Sequence, residues 1–175
     1  GFGGLVGVHR RADMDRLWEM LGNGTSGDVL FTDDPVRHAP RLLGELRALF
    51  PPARGSHVVG PTLQLNWLYL LRLDVGLFLE IPSGKVFVAG VGRYVVGTED
   101  FALVRLRLDF IGGVDPTQGL LFLDGYLVDS TVLGIIRITG GIAFRLGVGA
   151  SPFFVYSVGG FHPRFDARGF GVPAL

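Results

Sequence analysis

The sequence contains no cysteine and almost no lysine, and each absence excludes a class of function. Without cysteine there is no disulfide, no thiolate metal site and no cysteine nucleophile. Lys85 is the only lysine, so arginine supplies nearly all of the positive charge. The formal net charge is zero, whereas binding to nucleic acid through the overall field of a protein requires a basic surplus. We therefore expect no nucleic-acid partner.

Charged residues are also scarce. They make up 18% of the chain, against about 25% in an average soluble domain, and the mean hydropathy is +0.42. Such a chain has to bury more apolar surface than usual, inside itself, against neighbouring domains or in lipid. No uncharged apolar run reaches about 18 residues, so we expect no transmembrane helix. The localisation stays open.

The two ends of the chain indicate a piece of a longer polypeptide. The sequence starts at Gly1 inside an apolar segment and stops at Leu175 without a polar tail. We therefore expect one continuous domain that is truncated at both ends, with the remainder of the parent polypeptide as its first partner.

The N-terminal segment, residues 1–60, is predicted to be mixed and largely helical. After a short apolar strand, apolar side chains recur twice at helical spacing, which predicts two amphipathic helices. Asp13 is a suitable N-cap for the first helix. The second helix is expected to begin near Pro40 and to end before Pro51, because proline is tolerated in the first turn of a helix and not in its interior. The first helix carries its apolar stripe at Met14, Leu17, Trp18 and Leu21.

Residues 61–175 are predicted to form a β-sheet. Between Leu71 and Ile81 apolar side chains alternate strictly with Arg72, Asp74 and other residues, and this period of two is the signature of a strand with two different faces. Similar segments follow, separated by short turns that permit only antiparallel neighbours. The predicted fold class is α+β, mainly β, with two N-terminal amphipathic helices followed by an antiparallel up-and-down meander of about six long strands.

One face of the predicted sheet is apolar along its whole length. In one interpretation it packs on the two helices and on other parts of a larger protein. In a second it is a binding surface for an apolar protein segment or for the acyl chains of a lipid. In a third the strands belong to an outer-membrane β-barrel and the face meets lipid. The residues predicted for this face are Leu73, Val75, Leu77, Leu79, Leu106, Leu108, Leu123, Ile138 and Phe144.

Candidate catalytic groups are few and weak. His162 and its neighbour Arg164 follow the last strand, and Asp115 in another turn is one carboxylate that could complete an acid–base site with them. A histidine that satisfies a turn or a buried contact is the better explanation of His162. The histidines have no metal-ligand spacing, so neither a metal nor another cofactor is predicted. We expect a non-catalytic structural or binding module, with an enzyme centred on His162 as the alternative.

Four stretches of the chain resemble one bacterial family. They lie at residues 2–10, 29–35, 46–52 and 157–165, in the same order along nearly the whole chain, and the Gly-Gly-Phe-His-Pro stretch in the last of them is the most specific. They resemble a bacterial domain of unknown function, family 6603. Its members look like large proteins in which this unit is only one part, and the family has no established activity. The resemblance therefore implies a fragment of a large protein and supplies no catalytic residue.

Overall fold

The structure, a computed structural model, describes residues 1–32, 36–97, 102–149 and 151–159. In this part of the chain ten strands form one antiparallel sheet, and three helices connect the first strand to the second. The predicted fold class is confirmed, with more strands than the six expected. The elements are β1 (Phe2–Arg10), α1 (Met14–Gly22), α2 (Ser26–Leu30), α3 (Ala39–Leu49), β2 (Pro52–Trp67), β3 (Leu71–Ile81), β4 (Lys85–Gly97), β5 (Ala102–Asp115), β6 (Leu120–Leu127), β7 (Ser130–Val132), β8 (Ile136–Ile138), β9 (Gly141–Gly147) and β10 (Phe153–Val158).

The main path of the sheet is an up-and-down meander. Its strand order is β1-β2-β3-β4-β5-β6-β9-β10, so each strand lies beside the preceding strand of the path. Since β1 comes from the N-terminal segment and pairs with β2, both parts of the chain contribute to one sheet. Among the described residues β1 and β10 each pair on one side only, so the sheet is open.

Strands β7 and β8 form a side hairpin that the sequence pattern did not predict. Apolar residues alternate along residues 136–148 as they would in one strand, but the segment divides into β8 and β9. The reason lies in β5, which is longer than its neighbour β6. Strand β6 pairs only with the part of β5 from Leu108 onward. The side hairpin pairs with β5 nearer its start, through Val104 and Arg105.

Both predicted helices form where their end signals place them. The Asp13 side chain accepts a hydrogen bond from the backbone N–H of Arg16, which caps α1. Pro40 lies in the first turn of α3, where its missing N–H is not needed. The short helix α2 lies between them, and it contributes the buried residue Val29 to the core.

The helices cover one face of the sheet, here called the helix-covered face, which carries Asp74, Phe78, Phe87, Ile111 and Phe122. The opposite side, called the outer face, carries the apolar residues predicted from the alternation. The interpretation in which the apolar face packs on the helices is therefore wrong. The physical reason is that the helix-covered face carries large aromatic side chains between its charged residues, and the helices bury these aromatic side chains.

Phe78 is the centre of the core beneath the helices. Its ring stacks on that of Phe87 with 4.9 Å between centroids, and Phe50 at the end of α3 lies 6.2 Å away. Glycine is required beneath this ring, because a Cβ added at Gly60 or Gly76 would lie 2.2 Å or 2.6 Å from it. Full burial of one such apolar side chain stabilises the fold by about 1.5–3 kcal/mol.

Candidate functional site

Asp115, the carboxylate suggested as a partner for His162, is held by groups of its own neighbourhood. It lies 3.1 Å from the Lys85 ammonium and accepts hydrogen bonds from the backbone and side chain of Thr117. Burial by itself raises the pKa of Asp115, but these hydrogen bonds and the Lys85 charge outweigh burial and hold the pKa below its ordinary value. The carboxylate therefore stays charged and stabilises the turn between β5 and β6, which makes it a poor proton donor.

The other two catalytic candidates, His162 and Arg164, lie outside the described residues. Within the described ranges, no group of three or more histidine or carboxylate side chains is placed to hold a metal ion. His9 and His57 are the one close histidine pair that the structure shows there, with ring centroids 5.3 Å apart.

The charged residues of the helix-covered face attach the helices to the sheet. Arg107 holds Asp109 by a 2.7 Å hydrogen bond from its Nε and also donates to the backbone oxygen of Gly24 at 3.0 Å. Ser26, the first residue of α2, donates to Asp109 at 3.1 Å. Burial by itself lowers the pKa of Arg107, but the bond and the charge of Asp109 outweigh burial and raise it. This cluster joins α2 to the middle of the sheet.

Two further contacts repeat this arrangement at other places. The Glu80 carboxylate accepts a 2.8 Å hydrogen bond from the backbone N–H of Ala12, just before α1. The Arg145 guanidinium lies 5.5 Å from the centre of the Trp18 ring on α1 and 2.6 Å from Asp124. All five buried carboxylates of the described residues have a cation or an N–H donor beside them. These carboxylates are Asp74, Glu80, Asp109, Asp115 and Asp124.

A cavity of about 480 Å³ lies between α2, α3 and strands β1 to β3. Its walls are mainly apolar, and Gln64 and Asp74 are among its polar side chains. Gln64 donates a 2.9 Å hydrogen bond to Asp74, and Asp74 also pairs with Arg72 and Arg93. Gln64 and Asp74 therefore already have partners within the protein and are not free to orient a cofactor.

The outer face is free of charge at its paired positions. On β3 to β6 and on β9, the residues that share this side are leucine, isoleucine, valine, phenylalanine and glycine, together with Tyr94. The register joins them into continuous rows across the sheet. In one row Leu77 lies opposite Val88, followed by Gly112, Leu123 and Phe144 on the next strands.

Eight of the nine residues predicted for the apolar face lie in this arrangement on β3, β5, β6 and β9. Ile138 is the exception, since it belongs to β8 in the side hairpin. Leu77 is 51% exposed and Leu123 is 38% exposed, so no helix covers these positions. Whether the face binds a partner is addressed under Proposed function.

A shallow depression lies in the outer face above Gly125. It measures about 170 Å³ and is lined almost entirely by apolar atoms. The missing side chain of Gly125 creates it, because a Cβ there would lie 3.2 Å from Ile142 and 3.4 Å from Leu108. Its size suits one apolar side chain or a short stretch of alkyl chain.

Two hairpin tips expose apolar side chains, and the sequence reasoning missed them. The first tip, residues 67–70, joins β2 to β3, and the second tip, residues 133–136, joins β7 to β8. Trp67 is 66% exposed, Tyr69 is fully exposed and Ile135 is 85% exposed. The signal that could have found them is the loss of alternation. Residues 67–70 are four apolar residues in a row, and Leu133 and Ile135 flank the single Gly134, whereas glycine, asparagine and aspartate are usual in such turns.

A family model matches the whole chain, residues 1–175, and describes a family of unknown function. No curated protein and no solved structure matches the chain. In the described parts of the chain, no helix is both long enough and apolar enough to cross a bilayer.

Proposed function

The chain belongs to DUF6603, a family of unknown function, and we propose that this domain is a non-catalytic structural or binding module. In this proposal its outer face is buried against another layer of protein. The observation that carries the proposal is the uninterrupted apolar surface of the outer face, which none of the three described helices covers.

The size of the outer face supports a protein partner. Five neighbouring strands, each about 4.8 Å wide, span about 24 Å, and eight residues along a strand span about 26 Å. The resulting area, roughly 600 Å², reaches the upper end of apolar patches on monomers. It also approaches the roughly 800 Å² that each partner contributes to a standard protein interface. The depression above Gly125 would receive a side chain of the facing layer.

The helix-covered face supports the non-catalytic part of the proposal. Asp109 holds α2, and Glu80 holds the residue before α1. Asp74, Lys85 and Asp115 do line cavities, but Asp74 is paired with Arg93 and Lys85 is paired with Asp115. An enzyme instead requires reactive groups that face a substrate-sized space.

The experiment uses the absence of cysteine, which lets a single introduced thiol report on one position. In the absence of another layer, we expect the 175-residue chain to bury its outer face against a second copy. Analytical ultracentrifugation should then show a dimer, and Leu77→Asp should shift it toward the monomer. The matched control is Leu43→Asp on α3, whose side chain is exposed to a similar degree and which should leave the dimer intact.

The accessibility of the face is measured in parallel. We expect alkylation of Leu77→Cys and Leu123→Cys to be slower than alkylation of Leu43→Cys while the chain is a dimer. At concentrations low enough for the chain to be monomeric, the three rates should be equal. A chain that stays monomeric at high concentration with all three thiols equally reactive would contradict the proposal. If the chain is monomeric and co-purifies with lipid, as detected by mass spectrometry, the outer face binds a lipid ligand instead of a protein layer.

A further inference from the structure

The two hairpin tips place bulky apolar side chains where backbone geometry and water both disfavour them. The backbone φ is +50° at Leu68, +55° at Tyr69 and +55° at Leu133. Residues with side chains rarely adopt this left-handed region, and turns of this shape favour Asn-Gly. The first turn is closed by a 3.1 Å hydrogen bond from the Leu70 N–H to the Trp67 oxygen. A partner outside the domain that removes these apolar side chains from water would offset the cost of their exposure and of their backbone conformation.

Both tips project from the same end of the sheet. The first tip follows β2 and leads into β3, whose first residue Leu71 pairs with Tyr94 of β4. The second tip follows β7, which pairs with the beginning of β5 at Val104. The strands between the tips are β3, β4, β5 and β7, so the tip centres lie four strand spacings, or about 19 Å, apart. Two separate apolar tips therefore lie at this end of the sheet.

Two arginine residues lie close to the second tip. Arg105 on β5 and Arg137 on β8 both lie opposite Thr131 of β7, two residues below Leu133. Both are exposed, and neither forms an ion pair with another described residue. A guanidinium matches the geometry of a phosphate and can bind it through two hydrogen bonds.

We propose that this end of the sheet docks on the surface of a phospholipid bilayer. The two tips would enter the boundary between headgroups and acyl chains, and Arg105 and Arg137 would contact lipid phosphates. Tryptophan and tyrosine favour this boundary because each has an apolar ring and a polar group. Two apolar tips about 19 Å apart can both enter a flat membrane boundary, which needs no pocket for either of them. A protein partner would need a separate apolar pocket for each tip.

The apolar tips, rather than long-range attraction, carry the binding in this proposal. The formal net charge of the whole chain is zero, so no long-range field adds to the attraction of Arg105 and Arg137. Vesicles of phosphatidylcholine alone should therefore bind the chain, and adding phosphatidylglycerol should strengthen binding only slightly. The surface is distinct from the outer face and does not depend on the function proposed for that face.

The test is flotation of the 175-residue chain with phosphatidylcholine vesicles. The double variant Leu68→Asn with Tyr69→Gly supplies the residues that the turn geometry favours and removes the apolar side chains. We expect it to fold at least as stably as the unmodified chain and to lose vesicle affinity about tenfold or more. The matched control Leu43→Asn, which removes an exposed apolar side chain from α3, should bind as before.

A fluorescence measurement locates the contact. The chain has two tryptophans, so Trp18→Phe leaves Trp67 as the only reporter, and its emission should shift to the blue and be quenched by brominated lipid. The variant Leu77→Asp on the outer face should bind vesicles as the unmodified chain does. Two results would overturn the proposal: no vesicle binding by the unmodified chain, or undiminished binding by the Leu68→Asn/Tyr69→Gly variant.

Discussion

On strand β3, neighbouring residues meet opposite environments. Phe78 is 1% exposed beneath the helices, while Leu77 is 51% exposed on the outer face. Asp74, although charged, is 2% exposed. The comparison of the two faces teaches that polarity did not decide which side of this sheet is covered. The covered side has aromatic rings for the helices to pack on and a partner for each buried carboxylate.

Pairing explains why charge is tolerated under the helices. An unpaired buried carboxylate would cost several kcal/mol, whereas a carboxylate with a close guanidinium and additional donors recovers most of that cost. The outer face has the opposite problem, since it has no charge to satisfy and no apolar layer against which to pack. This asymmetry leads to four predictions.

The largest effect is expected at the centre of the helix-covered face. Phe78→Ala removes a ring that stacks on Phe87 and fills the space above Gly60 and Gly76. The free energy of unfolding should fall by about 3–5 kcal/mol, measured by urea denaturation. A loss below about 1 kcal/mol would mean that the helices do not pack on this face.

The next effect concerns the buried charges. Asp109→Ala leaves Arg107 without its closest partner and takes an acceptor from Ser26. We expect destabilisation of about 3 kcal/mol. The control is Asp15→Ala at an exposed position in the first turn of α1, which should cost only a few tenths of a kcal/mol. Equal costs for the two variants would show that Asp109 is not held as the structure shows.

A smaller effect should depend on pH. The pKa of Asp115 is lowered in the folded protein from an ordinary value of 3.8. The unfolded chain therefore takes up the proton more readily than the folded protein. The stability that the carboxylate contributes is present above 3.8 and is lost as the pH falls through the folded pKa. The unfolding free energies of the unmodified chain and of Asp115→Asn should therefore converge on acidification. A gap that stays constant down to about pH 2 would contradict the assignment.

The smallest effect is expected on the outer face. Leu77→Ala at a concentration where the chain is monomeric should cost less than about 1 kcal/mol, because the side chain is already half in water. The losses of unfolding free energy in Leu77→Ala and Phe78→Ala can then be compared for two neighbouring residues of one strand. A cost as large as that of Phe78→Ala would show that the outer face is covered within the monomer itself.

Much of the fold was predictable from local signals. The strict alternation between Leu71 and Ile81 matches the bounds of β3, and Asp13 caps α1 as its position indicated. The side hairpin was not predictable, because it fills a difference in length between β5 and β6 that arises only when the strands pair. The residues of the outer face could be predicted as a set, but their exposure could not.

The sequence alone determined which side chains share a face and that the neighbours in the meander are antiparallel, because a period of two and short turns leave no other arrangement. It did not determine which face the helices cover. Alternation defines two sides without distinguishing them, and the choice depends on contacts between residues far apart in the chain, such as Ser26 with Asp109 and Ala12 with Glu80. Only the tertiary structure brings those residues together, and it thereby places all three described helices on the side opposite the apolar residues.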